Sequence, residues 1–239
     1  MAPVVGTAGW SIPAKDRDAF GAGESGLARY ATRFAGVEIN SSFHRPHRRE
    51  TWERWASSVP AAFRFAAKLP KTISHERKLV DCDDLVARFL AEVGGLGDKL
   101  AILLLQLPPK LAFDPRIAEP FLAALATSSQ AKLVCEPRHS SWFEPACDAL
   151  LDRLEIPRVA ADPAIVPAAI EPGGWRGLGY WRLHGSPAMY RSSYDDGRLE
   201  RYAALLGEER RAGHPAWCMF DNTAASAATG DALGLLSRL

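Results

Sequence analysis

Eight short apolar segments, each ending in polar residues, alternate along the chain with stretches of helical spacing. Leu85, Phe89 and Val93, for example, recur at four-residue steps. Strand alternating with helix is the pattern of parallel βα units, and 239 residues is close to the length of an eight-stranded α/β barrel. The sequence therefore predicts a single (β/α)₈ barrel, TIM-like and with eight parallel strands, as one domain over residues 1–239. A Pro- and Gly-rich stretch, Pro163–Gly179, is predicted to be a long loop with one helical turn. The predicted strands are Val4–Trp10, Val37–Phe43, Phe63–Leu69, Leu100–Leu107, Lys132–His139, Arg158–Asp162, Tyr180–Gly185 and Trp217–Asn222.

The composition favours a globular protein without a membrane or polyanion partner. Hydrophobic residues make up 47% and charged residues 24% of the chain. The formal net charge of +1 counts against extended binding to duplex nucleic acid. No apolar run approaches the ~20 residues of a membrane span. A strand-like segment directly after Met1 predicts no signal peptide. The four cysteines are far apart and form no CxxC pair, so free thiols and a cytoplasmic location are expected.

The alternation of side chains along the predicted strands indicates one polar pocket. In the second strand Glu38 and Asn40 share a face, whereas Val37 lies on the opposite one. The sixth strand is assigned in the same way, with Ala160 and Asp162 on the polar face. The apolar face of a barrel strand must meet the helices, so the polar face points inward. Nine side chains are expected to converge at the C-terminal strand ends: Glu38, Asn40, Lys68, Gln106, Glu136, Arg138, Asp162, Arg182 and His184.

This set contains three acids, three bases and a histidine, which supports two interpretations. One is a salt-bridge network that fixes the strand register, and the other is a catalytic pocket. Glu136, Asp162 and His184 end consecutive strands, which lie ~4.8 Å apart. They could converge on a divalent cation or act as a general acid/base pair with an orienting histidine. Arg138 would compete with a metal by pairing with Glu136.

Lys68 has three interpretations that the sequence leaves open. Burial would lower its pKa, as a Schiff-base lysine requires. It could instead join the two arginines, Arg138 and Arg182, in holding an anionic substrate group or a developing negative charge. It could also be a simple partner for Glu38 or Gln106.

Short motifs recur from the first predicted strand to the last, and together they are similar to those of one known family. They are Gly6-Thr-Ala-Gly-Trp10, Val37-Glu-Ile-Asn-Ser-Ser-Phe43, Phe65-Ala-Ala-Lys68, Ile73-Ser-His75, Leu105-Gln-Leu-Pro-Pro109, Glu136-Pro-Arg-His139 with Trp142, Asp162, Arg182-Leu-His-Gly185, Tyr190, Tyr194 and Phe220-Asp-Asn222. In this order they resemble the YecE-like family, known as domain of unknown function 72. The resemblance implies a TIM-like barrel and no settled activity. The chain departs from the family pattern at His44, where tyrosine is usual, at Asp221, which replaces asparagine, and at Thr223, which replaces an acid.

The leading hypothesis is an enzyme, a hydrolase or lyase acting on a phosphate- or sugar-containing small molecule or nucleic-acid fragment. Glu136 and Asp162 would be its acid/base or metal-binding carboxylates, and His184 a further ligand or proton carrier. A divalent metal is the cofactor that this trio would suit. The alternative hypothesis is a non-catalytic protein that holds an anionic ligand or a nucleic acid in the same pocket. The remaining roles are negative-charge stabilisation by Lys68, Arg138 and Arg182, substrate orientation by Asn40, Gln106 and Asn222, ring stacking by Tyr194, and support of a base by Glu38.

Overall fold

Ten β-strands organise the fold, and the computed structural model describes them within residues 2–239. The helices between them are α1 (Gly26–Tyr30), α2 (Ser41–His44), α3 (Arg49–Ser57), α4 (Asp83–Val93), α5 (Pro115–Thr127), α6 (Pro145–Arg153), α7 (Asp196–Ala212) and α8 (Ala228–Leu236). Short 3-10 segments cover Ala14–Ala19, Gly94–Lys99, Ser140–Phe143 and Pro167–Ile170, and a π-helical turn covers Thr72–Glu76. The strands are β1 (Val4–Thr7), β2 (Gly36–Ile39), β3 (Arg64–Lys68), β4 (Leu100–Gln106), β5 (Lys132–Glu136), β6 (Pro157–Arg158), β7 (Ala160–Asp162), β8 (Gly173–Gly174), β9 (Gly179–Leu183) and β10 (Ala216–Phe220).

The strands form two sheets. One is four-stranded and parallel, in the order β1-β10-β9-β7. The other is six-stranded, in the order β2-β3-β4-β5-β6-β8, and is mixed because β6 and β8 pair antiparallel. The predicted single barrel of eight parallel strands is therefore wrong.

The difference arises at the predicted sixth strand. The segment Arg158–Asp162 is divided at Val159, so that β6 pairs with β5 in one sheet and β7 pairs with β9 in the other. The stretch predicted to be a long loop contains its helical turn, Pro167–Ile170, but also β8, which closes on β6. On the other side of the molecule the sheets approach at an isolated bridge between Ala8 and Glu38.

Two apolar clusters fill the fold. The larger one packs the outer faces of the strands against the helices, with Phe65, Leu103 and Trp181 among its members. The smaller one draws on both sheets and so lies between them; it includes Ile102, Val134 and Met219. Because strand side chains alternate between faces, residues two positions further along continue the inner face towards the C-terminal strand ends. None of the helices that the structure describes is long and apolar enough to cross a membrane.

Helix α7 has well-defined ends that follow from its sequence. The Asp195 carboxylate accepts a hydrogen bond from the backbone N–H of Arg198 at 2.9 Å and so caps the N-terminus. Gly213 ends the helix in the left-handed conformation, at a φ of 80°, which glycine adopts without a Cβ clash. This helix carries Arg198 and Tyr202, which contact the end of β7.

The N-cap gives a first prediction about stability. We expect Asp195→Ala to lower the free energy of unfolding by about 1 kcal/mol, because it leaves an N-terminal N–H of α7 without its acceptor. Asp195→Asn is the control, since its amide oxygen can still accept the bond. Urea unfolding followed by circular dichroism measures both, and equal stability of the alanine variant and the wild type would contradict the prediction.

Candidate functional site

A cluster of polar side chains continues the inner face of the strands at their C-terminal ends. Five of these residues lie two positions after an apolar residue of the inner cluster, so the alternation of the strand directs them inward, and Arg138 and His184 follow two of the five at the same spacing. We call this group the strand-end cluster: Glu38, Lys68, Gln106, Glu136, Arg138, Arg182, His184 and Asp221. The five apolar predecessors are Ala66, Leu104, Val134, Tyr180 and Met219.

Arg182 is the centre of the strand-end cluster and is fully buried. Its Nη2 lies 2.6 Å from Glu38 Oε1 and 2.9 Å from Asp221 Oδ2. Its Nη1 donates to Glu136 Oε2 at 2.5 Å and to Gln106 Oε1 at 3.2 Å. Burial alone would lower the pKa of Arg182, but the carboxylates of Glu136, Glu38 and Asp221 outweigh it and raise this pKa well above its usual value. The guanidinium is therefore a permanent cation that three acids share.

Glu136 is ionised for the same reason. Burial would raise the pKa of its carboxyl, but Arg182 and then Arg138 hold it well below the ordinary value. Arg138 Nε donates to Glu136 Oε1 at 2.8 Å. Two arginines thus bracket one carboxylate, so Glu136 has no proton to give near neutral pH.

His184 has contacts that require different protonation states. Its Nδ1 lies 3.1 Å from Asp221 Oδ2, and its Nε2 lies 2.9 Å from Arg138 Nη2 and 3.1 Å from Glu136 Oε1. A guanidinium only donates, so its contact requires a lone pair on Nε2. A carboxylate only accepts, so the contact with Glu136 requires a proton on Nε2. Nε2 therefore satisfies only one of these two neighbours at a time, while the Asp221 carboxylate accepts from Nδ1–H.

Lys68 is the cation of the cluster with the fewest partners. Its ammonium donates to Gln106 Oε1 at 2.8 Å and lies 4.1 Å from the centre of the Phe43 ring. No carboxylate of residues 2–239 forms an ion pair with it. Burial, followed by the charge of Arg182, lowers the pKa of Lys68 to about 8, although Glu136 and two further acids act in the opposite direction. An ammonium has three donors, so Lys68 keeps unused hydrogen-bonding capacity.

Asp162 does not join the strand-end cluster, and its assignment to the inner face is wrong. Val159 belongs to the inner apolar cluster and Ala160 to the outer one, so Asp162 points outward like Ala160. Its carboxylate accepts a hydrogen bond from Tyr202 at 3.0 Å and lies 3.6 Å from Arg198 Nη2. The predicted strand has one earlier charged residue, Arg158, at the same parity as Asp162, and it too faces a helix, where it pairs with Asp148 of α6.

The expected convergence of Glu136, Asp162 and His184 on a divalent cation therefore does not occur. Glu136 and His184 contact each other, whereas Asp162 faces α7. Within residues 2–239, no group of three or more His, Cys, Asp or Glu side chains is arranged to hold a metal ion. The donor set of the strand-end cluster is instead occupied by arginines, which compete for the same carboxylate oxygens.

Three residues expected to contact substrate lie at different depths. The Tyr194 hydroxyl is buried, donates to the Asp162 carbonyl at 3.2 Å and accepts from the Gly185 N–H. The Asn222 amide donates to Asp231 Oδ2 at 2.6 Å and to the Ser192 carbonyl. The hydrogen bonds of these two side chains connect the segment after β9 to the end of β7 and to α8. Asn40 alone borders the strand-end cluster, with its amide nitrogen 3.5 Å from Asp221 Oδ1.

Asp221 is a member of the cluster that the alternation argument overlooked. It supplies the third carboxylate, in the role expected of Asp162, and its pKa is lowered because Arg182 and His184 outweigh the effect of burial. The signal was present, since Asp221 has the same parity as Met219, an inner residue of β10. Sequence reasoning selected its neighbour Asn222 instead.

The rim of the cluster carries aromatic side chains. His75 stacks edge-on against Phe43, with ring centres 4.9 Å apart, and Tyr190 stands edge-on to His184 at 5.7 Å. Burial, Lys68 and Arg138 lower the pKa of His75, so it is neutral at physiological pH. The most exposed charged side chains of the cluster are those of Asp221 and Arg138, 13% and 9% exposed, and the Lys68 ammonium lies against the Phe43 ring at the same rim.

Comparisons with known proteins agree with the motifs. The family model "Protein of unknown function DUF72" matches residues 4–239. The UPF0759 protein YecE of Escherichia coli is 37% identical over 112 residues, which is 47% of this chain and 39% of that protein. The match thus spans well under half the length of that relative.

Solved structures show the same fold. A DUF72 family protein from Enterococcus faecalis has a TM-score of 0.81 at 18% identity, covering 99% of this chain and 94% of that one. A DUF72 family protein from Thermotoga maritima has a TM-score of 0.79 at 21% identity, covering 99% and 98%. The family model confirms the resemblance seen in the motifs: the chain belongs to the DUF72 family.

Proposed function

We propose that the chain is an enzyme, a hydrolase or lyase, that acts on a small phosphate- or sugar-containing substrate at the strand-end cluster. The observation that carries this proposal is Lys68, a buried ammonium that has, among residues 2–239, an amide oxygen as its one hydrogen-bond acceptor and no carboxylate partner. Burying an unpaired cation opposes folding, so such a group is typical of a site that a substrate completes.

The charges around Lys68 support an anionic substrate. The three carboxylates of the cluster are engaged by Arg182 and Arg138, so they do not neutralise Lys68 directly. A phosphate, or an oxygen that develops negative charge during bond cleavage, would accept the unused N–H groups of Lys68. Its lowered pKa, about 8, also leaves a fraction of the amine neutral at physiological pH. Lys68 therefore suits both binding of negative charge and proton transfer.

His184 and Asp221 supply a second route for protons in this proposal. Asp221 orients the imidazole through Nδ1, which is the arrangement that makes the opposite nitrogen an effective proton carrier. Nε2 faces Arg138 and Glu136. A substrate that displaces the Arg138 side chain, which is 9% exposed, would reach this nitrogen. Arg182 and Glu38 lie deeper and position the other groups.

A second candidate function is anion binding without turnover. The bracketing of Glu136 by two arginines favours it, because a carboxylate held in its ionised form cannot protonate a leaving group. In this alternative Lys68 and Arg138 hold the anion, and the rest of the cluster maintains their geometry.

The test is a panel of nitrophenyl phosphates and nitrophenyl glycosides assayed with wild-type protein, Lys68→Met and Lys71→Met. We expect Lys68→Met to lower kcat/KM by about 100-fold on any substrate that the wild type turns over, since it removes the group that meets the developing charge. Lys71→Met is the matched control, because Lys71 lies three residues further along but is exposed and paired with Glu76. Turnover that Lys68→Met leaves unchanged would contradict the proposal. Anion binding that depends on Lys68, without turnover of any substrate, would favour the second candidate.

A further inference from the structure

A cavity of about 610 Å³ adjoins the strand-end cluster without being part of it. Its walls include Gly9 and Trp10 after β1, Arg17 and Arg29 around α1, and Asn40 after β2. Asn40 belongs to both places, because its amide nitrogen also contacts Asp221 of the cluster. The volume lies in the range of sites for small molecules.

The cavity is lined by two arginines whose guanidinium groups have no acidic partner in the described part of the chain. Neither Arg17 nor Arg29 takes part in the ion pairs found among residues 2–239. Arg29 Nη2 donates to the backbone carbonyl of Arg17 at 3.0 Å, which fixes the direction of this guanidinium. Its Nε is buried and has no acceptor in the described part of the chain. A guanidinium fixed in this way offers donors that suit the oxygens of a phosphate.

Asn40 provides an acceptor in the same cavity. A carboxylate can only accept, so the amide nitrogen of Asn40 must be the atom that faces Asp221. The amide oxygen then points elsewhere, and it is buried without a donor from residues 2–239. Leaving a buried acceptor unsatisfied costs free energy. A ligand hydroxyl would satisfy it once the amide turns towards the cavity that Asn40 lines.

Trp10 forms an aromatic wall of the cavity. Its ring stands edge-on to Trp55, with centres 5.0 Å apart and planes at 73°, so its orientation is set by packing outside the cavity. Gly9, the preceding residue, has a φ of 83°, and a Cβ built there would meet no atom within 4 Å. The glycine therefore leaves open space beside an indole, and the apolar face of a sugar ring stacks well on such a surface.

We propose that this cavity is the second half of the substrate site and that it binds the phosphate end of a sugar phosphate. Arg17 and Arg29 hold the phosphate, Asn40 accepts a hydrogen bond from a ring hydroxyl, and Trp10 covers one face of the ring. The inference rests on the proposed function, since the reacting end of the same molecule then lies at Lys68. The proposed function allows a substrate that contains either a phosphate or a sugar, whereas this inference requires both groups in one molecule.

Isothermal titration calorimetry with D-ribose 5-phosphate, D-ribose and inorganic phosphate tests the proposal on the full chain. We expect wild-type protein to bind the sugar phosphate at least about 10-fold more tightly than either part alone, because two sets of contacts act together. Arg29→Gln should weaken binding of the sugar phosphate about 10-fold and leave binding of D-ribose unchanged. Arg33→Gln is the matched control, since Arg33 lies four residues away, is exposed and does not line the cavity.

Further outcomes separate this site from the proposed function. Arg17→Gln repeats the measurement with a residue of the exposed 3-10 segment Ala14–Ala19, in case Arg29→Gln unfolds the chain. Equal affinity of wild type and both glutamine variants, or no binding of the sugar phosphate by the wild type, would overturn the cavity as a phosphate site. Turnover that depends on Lys68 but not on Arg17 or Arg29 would also overturn it and leave the proposed function intact. Arginine-dependent binding without any turnover would support the cavity and overturn the enzymatic role.

Discussion

Arg182→Met is expected to lower the free energy of unfolding by about 3–5 kcal/mol, the loss typical of removing one partner from a buried ion pair. Arg182 is fully buried and contacts Glu38, Glu136 and Asp221, two of which are themselves inaccessible to solvent. Methionine replaces the apolar stem of the side chain but leaves these carboxylates without their shared cation. Urea unfolding followed by tryptophan fluorescence measures the loss.

Arg153→Met is the matched control for this variant. The Arg153–Glu119 pair has the same 2.5 Å separation as the Arg182–Glu136 pair, but its side chains are 59% and 52% exposed. Water screens an exposed pair, so we expect a change of at most about 1 kcal/mol. Similar losses of unfolding free energy for the two variants would show that burial does not increase the contribution of Arg182 to stability.

The response to pH should differ between the wild type and Arg182→Met. In the wild type the pKa values of Glu136 and Asp221 are lowered, so their contribution is fully present above their ordinary values of 4.5 and 3.8 and is lost as the pH falls below these. Without Arg182, burial becomes the dominant influence and raises both pKa values. Protonation then neutralises the unpaired carboxylates of the variant as the pH falls. The difference in free energy of unfolding between the wild type and the variant should therefore narrow from pH 7 towards pH 4. A gap that widens on acidification would contradict this account.

The inner face of the strands could be predicted from the sequence wherever one strand contains both polar and apolar residues. In β3 and β5 the charged positions Lys68 and Glu136 share a parity with Ala66 and Val134, and the outer positions are consistently apolar. Burial on both faces then leaves one orientation for the charges. In the predicted strand Arg158–Asp162 the charged residues have the parity of Ala160 and face the helices, so polarity indicates the wrong face there.

The pairing of the strands could not be predicted in the same way. The division of the sheets depends on Val159, at which the chain leaves β5 and passes to β9. The antiparallel strand β8 consists of Gly173 and Gly174, which have no side chains to show a pattern. Periodicity reports which face of a strand is buried, whereas the partner of a strand is set by contacts between segments distant in sequence.

The cluster also relates stability to function, because some of its members stabilise the folded state and another destabilises it. Arg182 is satisfied by three acids and stabilises the fold, whereas Lys68 is buried with a lowered pKa, which means that its charged form is disfavoured by folding. A purely structural network has no reason to retain a group of the second kind. The two types of residue can therefore be separated by measuring stability alone, without knowledge of the substrate.

Lys68→Met is expected to stabilise the protein at pH 7, by as much as about 3 kcal/mol, while lowering kcat/KM about 100-fold. The pKa of Lys68 is lowered from 10.5 to about 8, so below pH 8 the amine is charged in both states and folding carries the full cost of burying it. Methionine has a similar length and no charge. Gln106 Oε1 keeps a donor in the variant, because Arg182 Nη1 also contacts it at 3.2 Å.

The pH dependence of this gain identifies its cause. Between pH 8 and 10.5 the unfolded wild type binds more protons than the folded one, so wild-type stability rises with pH relative to the variant. The advantage of Lys68→Met should therefore be largest at pH 7 and disappear towards pH 10.5, whereas Lys71→Met, at an exposed position, should show neither effect. Urea unfolding at pH 7, 8, 9 and 10 measures the difference. If Lys68→Met is less stable than the wild type at pH 7, Lys68 is a structural partner of the acids. Its charge is then already compensated within the folded protein, and no substrate is needed to pair with it.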